Sequence, residues 1–164
     1  MKLIVFGIIL ISVIGAQAAN YEQGTKEFGG SINIGKSDTS GTIIQLSPRA
    51  QYFIVDNLAL GLEIDYLKSD NEEELGIGPS ATYFLNFDER FVPFISQNIL
   101  YKNYSGPYAD GVDGLYATTS IGLNYPLSEN TALSIAYQKL YSLEGDQDAE
   151  ESESLSWGFR AYIK

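Results

Sequence analysis

Apolar and polar residues alternate along this chain from about residue 26 to its end, and this alternation limits the folds that it can adopt. Alternation at every second residue is typical of β-strands with one apolar face, whereas an amphipathic helix repeats about every 3.6 residues. The clearest example is Leu58–Lys68, in which Leu58, Leu60, Leu62 and Ile64 share one face. Eight such segments are predicted: Lys26–Gly35, Thr42–Val55, Leu58–Lys68, Glu74–Asn86, Val92–Tyr104, Leu115–Leu127, Thr131–Tyr141 and Ser154–Ile163.

The fifth segment departs from the pattern, because its apolar residues change parity between Phe94 and Ile99. This change predicts a β-bulge or a different register in that strand.

The connections between the segments alternate in length. Three are predicted to be tight turns: Asp56-Asn57, Phe87–Phe91 and Ser128–Asn130. Four are longer and mostly acidic: Lys36–Gly41, Ser69–Glu73, Ser105–Gly114 and Ser142–Glu153. With an even number of strands, all tight turns fall at the end that carries both termini, as in an outer-membrane barrel with short periplasmic turns.

The first residues form a targeting segment. Met1-Lys2 supplies a basic start, Leu3–Ile14 is almost entirely apolar, and small residues follow at Gly15–Ala18. This is the order of zones in a secretory signal peptide, and the apolar run is shorter than a membrane-spanning helix needs. We expect residues 1–18 to be a signal peptide cleaved before Ala19, and residues 19–164 to form one domain.

Composition excludes several classes of function. The chain has neither cysteine nor histidine, so it cannot use thiolate or imidazole chemistry. Its 21 Asp and Glu residues against 10 Lys and Arg give a net charge of -11, which disfavours nucleic-acid binding. No cofactor or metal ligand set is predicted, and we expect no enzymatic activity.

The apolar faces could point outward to lipid or, as in a soluble lipocalin-type barrel, inward to a core. Small polar residues dominate the other face, and they suit the narrow interior of an eight-stranded barrel. Tyr and Phe also gather near the segment ends, as expected at lipid headgroups. We therefore predict that these residues face lipid: Leu58, Leu60, Leu62, Ile64, Leu133, Ile135, Trp157 and Phe159.

Four charged residues lie within segments on the polar face: Arg49, Glu63, Asp65 and Arg160. Their charges balance, and buried charges must be paired. The pattern favours a structural cluster that fills the lumen over a path for ions or solutes.

The last long connection is strongly acidic, and its carboxylates are Glu144, Asp146, Asp148, Glu150, Glu151 and Glu153. The spacing of Asp146 and Asp148 is similar to the start of a calcium loop, but the glycine that such a loop needs is absent. We interpret this segment as an acidic outer loop rather than a cation site.

Three stretches resemble the small outer-membrane β-barrel family of OmpA/OmpX-like proteins: Tyr52–Gly61, Phe91–Ile95 and Ser156–Tyr162. The resemblance implies an all-β, transmembrane, eight-stranded antiparallel up-and-down barrel in the outer membrane of a Gram-negative-type cell. It also implies insertion by the barrel-assembly machinery and a monomer in outer-membrane lipid. The family normally ends in an aromatic residue, whereas this chain ends in Lys164, with Tyr162 two positions earlier.

The leading hypothesis is a non-enzymatic outer-membrane barrel with a role in envelope integrity or surface interaction, its external partner unspecified. One alternative is a small pore or a channel for hydrophobic solutes. A second is a soluble periplasmic β-barrel that binds a ligand. The barrel enzymes that resemble this fold depend on a catalytic histidine, which the sequence lacks.

Overall fold

The computed structural model describes residues 21–37, 41–70, 73–85, 90–105, 113–143 and 152–164, so the predicted signal peptide lies outside the described residues. The described residues form eight strands: β1 (Lys26–Ser37), β2 (Gly41–Val55), β3 (Leu58–Lys68), β4 (Glu73–Phe84), β5 (Val92–Ser105), β6 (Gly114–Ser128), β7 (Thr131–Ser142) and β8 (Ser152–Ile163). Within these ranges there is no helix long and apolar enough to cross a membrane.

The eight strands close into one barrel. Each strand pairs antiparallel with its neighbours in the chain, and β8 returns to pair with β1, from Lys26 opposite Ile163 to Ile32 opposite Trp157. Closure gives both edges of the sheet a hydrogen-bonding partner, which an open sheet in hydrocarbon would lack. The predicted closed, eight-stranded, antiparallel up-and-down barrel is confirmed.

The sorting of connections by length is weaker than predicted. β1 and β2 continue to Ser37 and Gly41, so their connection spans only 38–40, and that between β3 and β4 spans 69–72. At the end that carries both termini, 85–91 is longer than either. The prediction failed here because backbone pairing continues through polar residues, whereas the sequence pattern marks only where an apolar face ends.

The expected irregularity in β5 is also absent. β5 pairs with β6 without a register shift, and Ile95 and Ile99 face outward while Phe94 and Leu100 face the lumen. The parity change therefore reflects apolar residues on both faces of one regular strand. Register shifts occur instead near the ends of β2, between Phe53 and Val55, and of β6, between Pro126 and Ser128.

The two faces of each strand meet different surroundings. On β3, the side chain of Leu62 is 57% exposed on the outer surface, whereas that of the next residue, Glu63, is 7% exposed in the lumen. The same inversion holds on β8, where Trp157 and Phe159 are exposed and Arg160 is fully buried. The interior of the barrel is thus where the structure concentrates its buried charges.

Candidate functional site in the barrel lumen

Aromatic side chains fill the lumen at the end that carries the chain termini, called here the terminal end. We name this cluster the aromatic base, and its members are Tyr21, Phe53, Phe84, Phe94 and Tyr162. The ring of Phe84 lies at its centre, with its centroid 4.6 Å from that of Tyr21 and 5.5 Å from that of Phe53. All five residues are almost completely buried, so the aromatic base closes this end of the barrel.

One member of the aromatic base precedes the first strand. Residues 21–25 run beside the end of β2, where the backbone N–H of Gly24 donates to the carbonyl oxygen of Phe53 at 3.0 Å. The N–H of Phe53 donates in turn to the carbonyl oxygen of Thr25 at 2.9 Å, and that of Asn57 donates to Tyr21 at 2.8 Å. These bonds hold the ring of Tyr21 in the lumen.

A layer of charges lies next to the aromatic base. The carboxylate of Glu27 is 2.7 Å from Nη1 of Arg160 and 3.2 Å from Nε of Arg49, and both Glu27 and Arg160 have no exposed surface. Arg49 also lies 3.8 Å from Glu63. Glu27 therefore pairs with two guanidinium groups: that of Arg160, which has no exposed surface, and that of Arg49, whose side chain is 10% exposed. A buried charge can be retained when it is paired in this way.

Arg160 joins this charge layer to the aromatic base. Its guanidinium carbon lies 4.4 Å from the centroid of the Phe94 ring and 5.3 Å from that of Phe84. Nε and Nη2 of Arg160 have no hydrogen-bond partner among the described residues. Cation–π attraction to the two rings offsets part of the lost hydration of this group.

A second group of charges lies towards the loop end of the lumen. Nζ of Lys102 is 3.0 Å from Asp65 and also pairs with Glu74. Asp65 accepts further hydrogen bonds from Ser47 Oγ at 2.7 Å and from Gln45 Nε2 at 2.9 Å. The amide of Asn98 donates to Glu63 at 2.6 Å and so connects this region to the charge layer below.

The four charged residues singled out from the sequence all lie in the lumen, but they do not form one balanced set. Arg49, Glu63 and Arg160 belong to the layer around Glu27, whereas Asp65 pairs with Lys102. Among the described residues, the sequence analysis missed Glu27, Glu74 and Lys102. With them, the buried charges comprise four carboxylates and three cations.

For two of the missed residues, the alternation of apolar and polar residues does indicate a position in the lumen. Glu27 and Glu74 precede the outward-facing Phe28 and Leu75. Each lies near the start of a strand, where polar residues also occur in loops. Lys102 lies near the end of the fifth predicted segment, where a lysine is common, yet it is 2% exposed. Its parity could not be read because β5 is apolar on both faces.

The residues predicted to face lipid lie on the outside of the barrel. Six of them are exposed: Leu60, Leu62, Ile64, Leu133, Trp157 and Phe159. Leu58 and Ile135 are partly covered by neighbouring side chains. Of the predicted acidic loop, only Glu153 is described, and it lies on β8 opposite Lys139 of β7. Glu144, Asp146, Asp148, Glu150 and Glu151 lie outside the described residues.

The charged side chains in the lumen are paired with one another. Each charged group noted above lies against an opposite charge. Within the described ranges, no group of three or more carboxylate side chains is placed to hold a metal ion.

No protein-family model matches this chain, and no curated protein is detectably similar to it in sequence. Solved structures do resemble it. The N-terminal β-barrel domain of OprF from Pseudomonas aeruginosa superposes with a TM-score of 0.65 at 16% identity, covering 86% of this chain and 98% of that one. Neisserial surface protein A gives a TM-score of 0.60 at 19% identity, covering 84% and 94% of the two chains.

The same fold also includes a catalyst. The outer-membrane enzyme PagL superposes with a TM-score of 0.50 at 16% identity, covering 82% of this chain and 98% of that one. At such identities the likeness establishes the shared barrel fold, and function must be argued from this chain's own residues.

Proposed function

We propose that this chain is an integral outer-membrane barrel that does not conduct and is not an enzyme, and that serves envelope integrity or surface interaction. One observation carries the proposal: the outer surface of the barrel is apolar and its charges are inside. A protein in water would expose large apolar patches to solvent in this arrangement, which soluble monomers rarely do. A lipocalin-type binder has the opposite arrangement, with its apolar residues in the lumen.

The outer surface fits the hydrocarbon region of a membrane. Leu62, Ile77 and Ile121 are each more than half exposed, and they belong to three different strands. Burying the exposed part of each such side chain in acyl chains is favourable by about 1 kcal/mol, roughly half of the value for a fully exposed side chain. Tyr52, Tyr83 and Tyr125 lie towards the terminal end of the same surface, where a headgroup boundary would meet their hydroxyl groups.

The filled lumen argues against a pore. Arg160 and Glu27 block the lumen next to the aromatic base with a 2.7 Å ion pair, and the aromatic base closes the terminal end beneath them. A permeating ion would have to displace paired charges that have no exposed surface. We expect no resolvable channel in planar bilayers at high protein load, and steady single-channel steps would contradict this part of the proposal.

Location is tested by fractionation and gel mobility. The mature protein should be recovered with outer membranes, require detergent for extraction, and change apparent mass on a gel only after boiling. Mass spectrometry of the same sample should place the first residue at Ala19, after removal of residues 1–18. Recovery from the soluble periplasm without detergent would overturn the membrane assignment.

The surface role rests on the acidic residues of the connection between β7 and β8. Cells that lack the protein should be compared with cells that carry a variant with Glu144, Asp146 and Asp148 replaced by Ser. If the protein acts through surface contacts, the variant should be inserted normally but fail to restore adhesion to host cells or surfaces. If it acts through envelope integrity, the variant should restore resistance to detergent as well as the parent chain does.

A further inference from the structure

An exposed polar side chain interrupts the apolar outer surface of β5. Gln97 lies near the middle of β5 (Val92–Ser105), and its outward-facing neighbours along the strand are Ile95 and Ile99, which are 44% and 41% exposed. Polar side chains that contact lipid headgroups are expected near the ends of a strand. Gln97 is instead enclosed by apolar residues in both directions along the strand, so in a membrane it meets acyl chains.

Part of its amide is satisfied locally. Thr119 lies opposite Gln97 on β6, and its hydroxyl donates to Oε1 of Gln97 at 2.7 Å. Nε2 of Gln97 donates to the carbonyl oxygen of Asn98 at 3.3 Å. A carboxamide has two N–H groups and two lone pairs on its oxygen, so these bonds leave one donor and one acceptor for a partner.

Two of the residues near Gln97 on the neighbouring strands are alanines. Ala81 lies opposite it on β4, and Ala117 lies opposite Ile99 on β6. Small residues let two membrane segments approach closely, and interhelical contacts in membranes use them in the same way. The outer surface around Gln97 therefore combines two small residues on the adjacent strands with an amide that can still donate and accept.

From this geometry we infer that the β4–β6 face, centred on Gln97, is the contact surface of a symmetric dimer of this chain in the membrane, in place of the monomer that the family resemblance implies. The inference rests on the proposed membrane location. Two copies inserted in the same direction are related by an axis along the membrane normal, so a residue at the centre of their contact meets its own equivalent at the same depth. A glutamine suits that position because each amide can donate to the other and accept from it.

An anionic lipid headgroup fits the same face less well. Gln97 and Thr119 carry no charge, and Lys139, which lies opposite Thr119 on β7, is itself opposite the carboxylate of Glu153 on β8. A phosphate would need a net positive site. A neutral donor and acceptor, such as a second glutamine amide, matches Gln97 without that requirement.

The chain contains no cysteine, so single cysteines can report contact between copies. Ile95→Cys places a thiol beside Gln97. Ile32→Cys is a matched control, because Ile32 has the same 44% exposure on β1, across the barrel from β5. Both variants should be reconstituted in vesicles over a range of protein-to-lipid ratios and oxidised.

We expect Ile95→Cys to form disulfide-linked dimers at ratios where Ile32→Cys remains monomeric. Adding Gln97→Leu should raise the ratio needed for half-maximal linking roughly tenfold, which corresponds to losing two weak reciprocal hydrogen bonds. Gln97→Met, which is nearer in shape, should have the same effect.

Equal linking at residues 95 and 32, or no effect of either substitution at Gln97, would overturn the dimer. Every sample is first checked for heat-modifiable mobility in vesicles. A barrel that passes this check but stays monomeric refutes the dimer alone, whereas a parent chain that does not insert into vesicles refutes the membrane location.

Discussion

The outer surface and the lumen of this barrel are built from alternate residues of the same strands, yet they differ in how specific their side-chain contacts are. On β3, Leu62 needs only an apolar environment around it, and many apolar side chains would serve there. Its neighbour Glu63 needs particular partners, because Arg49 and Asn98 satisfy its carboxylate in a space that excludes water. Apolar composition therefore specifies the outer surface, whereas individual pairs of residues specify the lumen.

The largest loss of stability is expected from removing Glu27, the carboxylate that pairs with both Arg49 and Arg160 in the lumen. Glu27→Leu should destabilise the barrel by about 3–5 kcal/mol, because it leaves Arg160 buried without its carboxylate. Urea unfolding in lipid vesicles, followed by the fluorescence of Trp157, measures the loss. The double variant Glu27→Leu with Arg160→Met should recover much of the stability. A double variant with a lower free energy of unfolding than Glu27→Leu alone would contradict the pairing.

A smaller effect is expected from charging the outer surface. Leu62→Arg should disfavour insertion by about 2–4 kcal/mol, the range measured for a cation at the bilayer midplane on the lipid face. The fraction of folded protein after refolding into vesicles measures this effect. Ser80→Thr is the lumen control and keeps the hydroxyl that accepts from Gln51. Equal folding yields for the two variants would argue against the assigned facing.

The aromatic base provides a finer test of the same contrast. Tyr162→Phe removes the hydroxyl to which the amide of Asn124 donates at 3.1 Å, and it should cost about 1 kcal/mol. Tyr83→Phe, on the outer surface, should leave the free energy of unfolding nearly unchanged. The same urea titration compares them, and a larger effect at Tyr83 would be the unexpected result.

The smallest effect is expected for an ion pair in contact with water. Nζ of Lys68 lies 2.9 Å from Glu73, and both side chains are about half exposed. Glu73→Gln should therefore leave the unfolding midpoint unchanged within error, since exposed pairs are weak and screened by salt. A loss comparable to that of Glu27→Leu would mean that this end of the barrel excludes water.

Much of the fold could be predicted because alternation records which face of a strand is apolar. The segments around Leu62 and Trp157 show it clearly, and closure follows because a membrane tolerates no free strand edge. The predicted lengths of the connections were less accurate, since pairing at Ser37 and Gly41 leaves no mark in the side chains.

The lumen contacts were harder to predict because they depend on the stagger between strands. Arg160 reaches Glu27 although its partner in the β1–β8 register is Gly29. Lys102 of β5 reaches Asp65 of β3 over Gly76 of β4, which lies opposite both residues and has no side chain to separate them. Tyr21 precedes the first alternating segment, so no periodic signal marks it as part of the aromatic base.

We expect the apolar side chains of these strands to face acyl chains around a filled lumen. Trp157 is the only tryptophan of the chain and is 55% exposed on the outer surface, so its fluorescence tests the claim directly. In vesicles made with lipids brominated on their acyl chains, we expect strong quenching of Trp157. We expect little quenching when Trp157→Phe is combined with Phe84→Trp, which moves the indole into the aromatic base. A folded barrel whose Trp157 is unaffected by brominated lipid, but quenched by a water-soluble quencher, would contradict the account.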